Sequence, residues 1–245
     1  MPRYKLTIEF NGSEFSGWQI QPDVITVEEE IEKAFSQVLQ QPVDLIGQGR
    51  TDAGVHALGQ VAHVDLPEGI DIQKLIFGVN GMIGNQIQIH SIEGVGPEFH
   101  ARFDATSREY EYTVLTKASP LNNSLAWFPA KELDIEKLKA CANTLIGEHD
   151  FNTFSKFNEE NYTTFCNVFV SEWQEKEGRL VFRISANRFL RNMVRRLVGT
   201  MIEVASGRMT ISDFENLLNN IDSKKPSVTA PAKGLVLTKV FYEKN

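Results

Sequence analysis

The chain has 245 residues, of which 42% are hydrophobic and 23% charged, as in a soluble globular protein with one large or two small domains. No apolar run approaches the ~18 residues of a membrane span, no apolar signal core opens the chain, and two cysteines are too few for a disulfide framework or a zinc site, so we expect a cytoplasmic protein. The net charge of -7 argues against a nucleic-acid partner, but residues 183–196 hold five arginines and no acidic residue, which leaves room for one basic face.

The first half of the chain predicts elements in the order β-α-β-β-α-β. Apolar and polar residues alternate from Tyr4 to Phe10, which indicates a half-buried strand. Thr26 followed by Glu29 predicts a capping box at the start of a helix that continues through Val38. The remaining elements are strands near 43–48 and 60–66, a helix near 71–79, and a strand near 86–95.

The second half repeats this order of elements, although its sequence does not resemble the first half. Its elements are a strand at about 107–115, a helix over 135–145, a hairpin of strands near 165–174 and 179–186, helices near 188–205 and after Thr210, and a strand from Leu235 to Tyr242. We therefore predict an α+β fold of two ferredoxin-like halves, 1–104 and 105–245, with antiparallel sheets side by side and a catalytic cleft between the halves.

The strongest candidate site is the sequence Gly-Arg-Thr-Asp-Ala-Gly-Val-His at 49–56, which predicts a loop between the second and third strands. Gly49 and Gly54 permit backbone angles closed to other residues and a close approach of a flat ligand. Arg50 and Asp52 point the same way if the segment is extended. On these eight residues alone, a surface turn with a local ion pair is an equally good interpretation.

A second candidate is the basic face of the helix predicted over 188–205. Arg188, Arg191 and Arg195 fall within about 60° of one another on a helical wheel, opposite an apolar arc. A solvated face is the ordinary interpretation of such a charge run. The arginines lack the Glu/Lys alternation of a solubilising face, and the guanidinium fork suits phosphate, which favours a functional role.

Other kinds of site are disfavoured. Asp52, His56 and His63 lack a recognised metal-ligand spacing, so we predict no metal site. The glycines near Asp52 match neither a dinucleotide fingerprint nor a P-loop, and nucleophile signatures of the Ser-His-Asp or Cys-His kind are absent. The segment Phe-His-Ala-Arg-Phe at 99–103 suits either a nucleotide chain or a packed linker.

With its separated motifs taken in order, the chain resembles the tRNA pseudouridine synthase A family over nearly its whole length. The motifs are 49–56, Asn11-Gly12 with Gly17-Trp18-Gln19, 99–103, Arg108-Glu109-Tyr110-Glu111-Tyr112, Gly147-Glu148-His149-Asp150-Phe151, Asn187-Arg188-Phe189 running into Met193-Val194-Arg195, and Ala232-Lys233-Gly234-Leu235. The resemblance implies a cofactor-free enzyme that isomerises uridines 38, 39 and 40 in the tRNA anticodon arm. It also implies a homodimer with two ferredoxin-like halves per chain and a catalytic cleft between them.

The resemblance also assigns roles to residues. Asp52 matches the catalytic aspartate, Tyr110 the active-site tyrosine, and Arg195 the arginine that pairs with the aspartate. Arg50 matches the motif arginine that helps to hold the target base out of the stack. Four further basic residues are expected to contact the RNA: Arg102, Arg108, Arg188 and Arg191.

The chain departs from the family pattern at three positions outside the catalytic set. Ile20 and Tyr162 stand where an arginine is common, and Glu28 stands where a glutamine is common. These departures bear on tRNA contacts and target breadth rather than on the reaction. Two other functions remain as alternatives: a catalytically inactive RNA-binding module, and a small-molecule hydrolase that uses Asp52.

Overall fold

The protein forms two compact units in the computed structural model. The described residues are 1–157, 162–219 and 228–242. The first unit is Met1–Thr106 together with the chain from Val236 onwards, and the second is Ser107–Leu235. The described part of the chain contains five α-helices and nine strands, which confirms the predicted α+β class. None of the helices within it combines the length and the apolar character that crossing a membrane requires.

The first unit is built on four antiparallel strands. In chain order its elements are β1 (Arg3–Phe10), α1 (Val27–Leu39), β2 (Ile46–Gly47), β3 (His56–Asp65), α2 (Ile72–Met82) and β4 (Ile87–Val95). The strands lie in the order β4-β1-β3, and β2 also pairs with β3. Leu6 lies opposite Ala62 on one side and Ile92 on the other, and these three residues are buried. In place of the strand predicted near 43–48, the structure has only the two-residue strand β2.

Helix α1 begins where the sequence predicts, but the predicted capping box is wrong. The Thr26 side chain makes no capping hydrogen bond, and its hydroxyl is buried without a partner. Backbone carbonyls of an earlier loop cap the helix instead, because Val27 N donates to Gly17 O at 3.2 Å and Glu28 N to Trp18 O at 3.0 Å. The first turn of α1 is thereby tied to the segment around Trp18.

The second unit is built on four antiparallel strands. Its elements are β5 (Ser107–Leu115), α3 (Ile135–Asn143), β6 (Gly147–Asp150), β7 (Phe165–Lys176), β8 (Arg179–Ala186), α4 (Met193–Ala205) and α5 (Ile211–Leu218). The strands lie in the order β5-β8-β7-β6. The hairpin turn between β7 and β8 is at Glu177 and Gly178, as predicted, and both have positive φ, 48° and 76°. Strand β6 was not predicted from the sequence.

The last strand, β9 (Leu235–Phe241), runs parallel to β3, with Val236 opposite His56. Its contacts place the chain from Val236 onwards in the first unit, although it follows the second half in sequence. The division of the chain into functional halves at residues 1–104 and 105–245 stays a prediction.

Candidate active site

The loop that carries Asp52 connects β2 to β3 and is fixed at its base by two buried glutamines. Gln48 Nε2 donates to Gln60 Oε1 at 2.9 Å, and Gln60 Nε2 donates to the carbonyl of Gly49 at 3.1 Å. Gln48 N also donates to Val61 O at 2.8 Å. Buried amides that satisfy each other hold one backbone geometry, because any other arrangement leaves a polar group unpaired. The loop is therefore rigid where it leaves the sheet.

The tip of the loop is a tight turn that presents Asp52. Val55 N donates to Asp52 O at 3.1 Å, which closes a four-residue turn. Gly54 has φ 76°, a left-handed angle that favours glycine at this position of a turn. The Asp52 side chain is partly exposed, whereas Thr51 and Val55 on either side are buried. The neighbours thus anchor the turn, while Asp52 itself stays partly exposed.

A second segment, Phe15–Trp18, braces the Asp52 loop. Trp18 N donates to Thr51 O at 3.2 Å, and Gly54 N donates to Phe15 O at 3.4 Å. Gly17 has φ 100°, and a Cβ there would lie 2.5 Å from Thr51 O. Only glycine fits this close approach. These contacts assign the segment Phe15–Trp18 to positioning the Asp52 loop.

The two histidines closest to this loop in sequence accept hydrogen bonds from backbone N–H groups. His56 Nδ1 accepts from Gly12 N at 3.1 Å, and His63 Nδ1 accepts from Ala101 N at 3.1 Å. Both rings are buried, and burial lowers the pKa of His63. Within the described ranges, no group of three or more His, Cys, Asp or Glu side chains is placed to hold a metal ion.

The two thiols are unsuited to nucleophilic chemistry. Cys141 and Cys166 are both buried and unbridged. Burial raises the pKa of Cys141 to about 12 and that of Cys166 to about 11. Both are therefore protonated near neutral pH, whereas the thiolate is the reactive form.

Tyr110 lies in the second unit, on strand β5. It pairs in register with Ile184 of β8, and its ring meets that of Phe189 edge-on, with centroids 5.1 Å apart and an interplanar angle of 87°. Tyr110 is partly exposed, whereas Tyr112, two residues further along the strand, is buried. The Tyr112 hydroxyl donates to Pro231 O at 2.7 Å, and burial raises the pKa of that hydroxyl. Tyr112 is thus structural, while Tyr110 is partly exposed.

Arg195 lies in the first turn of α4 and is held from two directions. Its Nε donates to Ala230 O at 2.8 Å, and its Nη1 donates to Asn192 Oδ1 at 3.1 Å. The backbone adds a third link, since Ala230 N donates to Arg195 O at 2.9 Å. Asn192 has φ 62°, a left-handed conformation that Asn tolerates better than most residues. The guanidinium therefore has a set position rather than the mobility of a surface arginine.

The predicted helix over 188–205 needs correction, because α4 begins only at Met193. The left-handed Asn192 interrupts the helical path, so Arg188 and Arg191 precede the helix and the helical wheel does not apply to them. Arg191 is exposed and Arg188 partly exposed. The prediction of one basic helical face that includes Arg188 and Arg191 is therefore wrong. Both arginines are nevertheless at least partly exposed.

The other two arginines of 183–196 are engaged within the second unit. Arg183 pairs with Glu109 at 2.7 Å and with Glu172 at 3.3 Å. The Nη1 of Arg196 donates to Ser155 O at 2.7 Å and to Thr153 O at 3.4 Å. These bonds make Arg183 and Arg196 structural residues.

The other three arginines predicted to contact the RNA lie in different parts of the structure. Arg50 is exposed in the Asp52 loop of the first unit. Arg102 also belongs to the first unit, where its guanidinium lies 5.7 Å from the ring centroid of Phe103, a side chain that is 75% exposed. Arg108 belongs to the second unit and donates to Asn187 O at 3.0 Å.

The structure thus brings Arg50 and Asp52 into one loop of the first unit. Tyr110 and Arg195 belong to the second unit. The sequence did not identify Asn192 as the residue that positions Arg195. The available signal was a polar residue immediately before a run of regularly spaced apolar residues.

Comparison with known proteins identifies the family. The family model described as "tRNA pseudouridine synthase" matches residues 6–104 and 141–243. The chain belongs to the tRNA pseudouridine synthase family. A protein of Parabacteroides distasonis named "tRNA pseudouridine synthase A" is 42% identical over 99% of this chain and 96% of its own length. One of Chlorobaculum tepidum with the same name is 41% identical over 97% of each chain.

Members of the family isomerise uridine to pseudouridine in tRNA, so the chain is an isomerase that acts on tRNA. One solved structure, titled "Crystal Structure of a Cbf5-Nop10-Gar1 Complex", covers 82% of this chain and 53% of its own, with 13% identity and a TM-score of 0.35. A similarity at that level carries no argument.

Proposed function

We propose that this tRNA pseudouridine synthase modifies uridines 38, 39 and 40 of the anticodon arm and that Asp52 is its nucleophile. The observation that carries the proposal is the setting of Asp52. Its turn is braced by buried glutamines on one side and by the backbone of Phe15–Trp18 on the other, and Asp52 itself is partly exposed. A rigid loop with an accessible reactive group is the arrangement that catalysis requires.

The reaction breaks the N-glycosidic bond between N1 of uracil and C1′ of the ribose and rejoins the same base through C5. The proton on C5 is lost and N1 gains one, so the product is an isomer of the substrate. A carboxylate serves this chemistry without a metal, by attacking either C1′ or the uracil ring. Water must be excluded while the base is detached, because hydrolysis would otherwise release free uracil.

The other predicted residues have complementary roles in this proposal. Arg195 pairs with the Asp52 carboxylate and orients it. Tyr110 stacks on the uracil with its ring and handles a proton with its hydroxyl. Arg50 helps to hold the target base out of the stack, and Arg102, Arg108, Arg188 and Arg191 contact phosphates. The held guanidinium of Arg195 and the partly exposed ring of Tyr110 support the first two roles.

The finer architecture is also part of the proposal. Each half is ferredoxin-like, both halves contribute to one catalytic cleft, and two chains form a homodimer in the cytoplasm. The antiparallel order β4-β1-β3 with β2 on the far side of β3 supports the ferredoxin-like assignment of the first half. The homodimer rests on the family resemblance.

The test is conversion of an unmodified anticodon-arm tRNA transcript by the purified protein, followed by mapping of pseudouridine at single-nucleotide resolution. We expect pseudouridine at 38, 39 and 40, and none in a transcript that carries cytidine at these positions. Binding without conversion would support the inactive RNA-binding module, and release of free uracil would support the hydrolase. Conversion confined to other positions would refute the assigned target.

A further inference from the structure

Glu28 in the first turn of α1 is bonded through both carboxylate oxygens to the segment that braces the Asp52 loop. Its Oε1 accepts from Trp18 Nε1 and its Oε2 accepts from Ile20 N, each at 3.0 Å. Its own backbone N donates to Trp18 O at 3.0 Å. Three hydrogen bonds therefore clamp one glutamate to residues 18–20.

Trp18, one of the residues bonded to Glu28, also contacts the residue next to the proposed nucleophile. Trp18, which is 1% exposed, donates its backbone N–H to Thr51 O, and Thr51 immediately precedes Asp52. Gly17 lies so close to Thr51 that a Cβ would meet its carbonyl oxygen. Any shift of Trp18 is therefore transmitted to the backbone of the Asp52 loop.

Only an ionised carboxylate satisfies both donors of this clamp. The Trp18 indole and the Ile20 amide are each hydrogen-bond donors, so both oxygens of Glu28 must accept. A protonated carboxyl group retains one good acceptor. A glutamine at this position would place its NH₂ group against one of the two N–H groups. The geometry thus selects the charged form of glutamate.

The surroundings of Glu28 make its carboxylate easier to protonate than that of an exposed glutamate. Burial is the main cause that raises its pKa, and the carboxylate of Asp44 raises it further. The hydrogen bonds from Ile20 and Trp18 and the charge of Arg50 act in the opposite direction, but the net pKa is raised. On the same helix, the charge of Glu28 contributes to a raised pKa of Glu32.

We propose that Glu28 is a positioning residue whose ionised carboxylate holds the Asp52 loop in its working geometry, so that protonation of Glu28 slows pseudouridine formation. The proposal rests on the function assigned to Asp52. Because the pKa of Glu28 is raised in the folded protein, protonation of this group favours the fold. Protonation of Glu28 therefore does not itself promote unfolding, and its effect on the rate arises in the Asp52 loop.

The first test compares Glu28→Gln with the wild type in single-turnover reactions from pH 5 to pH 8. We expect Glu28→Gln to be about tenfold slower at pH 8, a modest displacement of a catalytic loop, and to depend less on pH than the wild type does. Glu32→Gln is the matched control: Glu32 accepts one bond, from Leu45 N at 2.8 Å, which the glutamine oxygen retains. A Glu28→Gln enzyme with the wild-type rate or the wild-type acid limb would overturn the proposal.

The second test needs no substitution and no turnover. The indole N–H resonance of Trp18 in the wild-type protein should move with pH, with the same midpoint as the acid limb of the rate. Trp173, whose Nε1 donates to the Met201 sulfur at 3.4 Å, provides an internal control that should not respond to Glu28. A Trp18 signal that stays constant over this range would overturn the proposal. If no pseudouridine forms at any pH while Trp18 titrates as expected, the clamp exists and the function assigned to Asp52 is wrong.

Discussion

Replacement of Gly17 by alanine tests whether the segment Phe15–Trp18 positions the Asp52 loop. An alanine at φ 100° costs about 1–2 kcal/mol in backbone strain. Its Cβ would lie 2.5 Å from Thr51 O, about 0.9 Å short of ordinary contact, so Thr51 and the adjacent Asp52 must move by a large part of an ångström. Because a 1 Å misplacement of a catalytic group costs about 10²-fold, we expect a loss of that order in single-turnover rate.

The matched control is Gly69→Ala, because Gly69 also has a positive φ, 74°, but no atom lies within 4 Å of the added Cβ. Both variants should lower the melting temperature by roughly 2–8 °C, the shift that the backbone strain gives in a chain of this size. Only Gly17→Ala should lose the reaction rate, which is measured at saturating tRNA. Equal rates in the two variants would refute the reasoning, because the close contact with Thr51 would then have no catalytic consequence.

Three further predictions concern the second unit. Replacing Arg188 and Arg191 together by glutamine should weaken tRNA binding and reduce its salt slope by about two units, whereas an unchanged slope would mean that neither residue meets a phosphate. Tyr110→Phe keeps the ring and should lower the single-turnover rate by at least about 10²-fold. The control Tyr112→Phe should mainly lower the melting temperature. A near-normal rate for Tyr110→Phe would restrict Tyr110 to stacking. Arg195→Met should slow the chemical step at unchanged tRNA affinity, and the opposite result would assign Arg195 to phosphate binding.

Two neighbouring arginines serve as controls for these variants. Arg183→Gln should leave the salt slope of tRNA binding unchanged, because its guanidinium is paired with Glu109 and Glu172. Arg196→Met removes hydrogen bonds to the carbonyls of Thr153 and Ser155 and should lower the melting temperature more than the rate. A reduced slope for Arg183→Gln would indicate a general charge effect rather than contacts at particular phosphates.

The order of elements was predictable because local patterns carry it. Tyr4 to Phe10 alternates as a strand, and the structure buries its apolar face at Leu6, Ile8 and Phe10. Helix α1 starts within a residue of the predicted start, since its apolar spacing is regular. The candidate loop around Asp52 also connects β2 to β3 as expected. Periodicity and turn residues are local features, so the sequence alone determines where they lie.

The predictions that were wrong depend on contacts between residues that are distant in sequence. The predicted capping box at Thr26 is replaced by carbonyls of Gly17 and Trp18, which a helical pattern does not reveal. The apolar spacing continues upstream of Met193, but the left-handed Asn192 starts the helix later than the pattern predicts. The bonds between Glu28 and residues 18–20 likewise join separate segments, so position 28 appeared in the sequence only as a departure from the family pattern.

The measurement that tests the central claim most directly is the single-turnover yield of pseudouridine by Asp52→Asn on an anticodon-arm tRNA, with tRNA affinity measured in parallel. The substitution keeps the size of the side chain and removes its charge and its nucleophilic oxygen. The account predicts no detectable pseudouridine and an affinity within a few-fold of the wild type, because phosphate contacts made elsewhere supply most of the binding. A rate within tenfold of the wild type would contradict the assignment of Asp52 as the nucleophile.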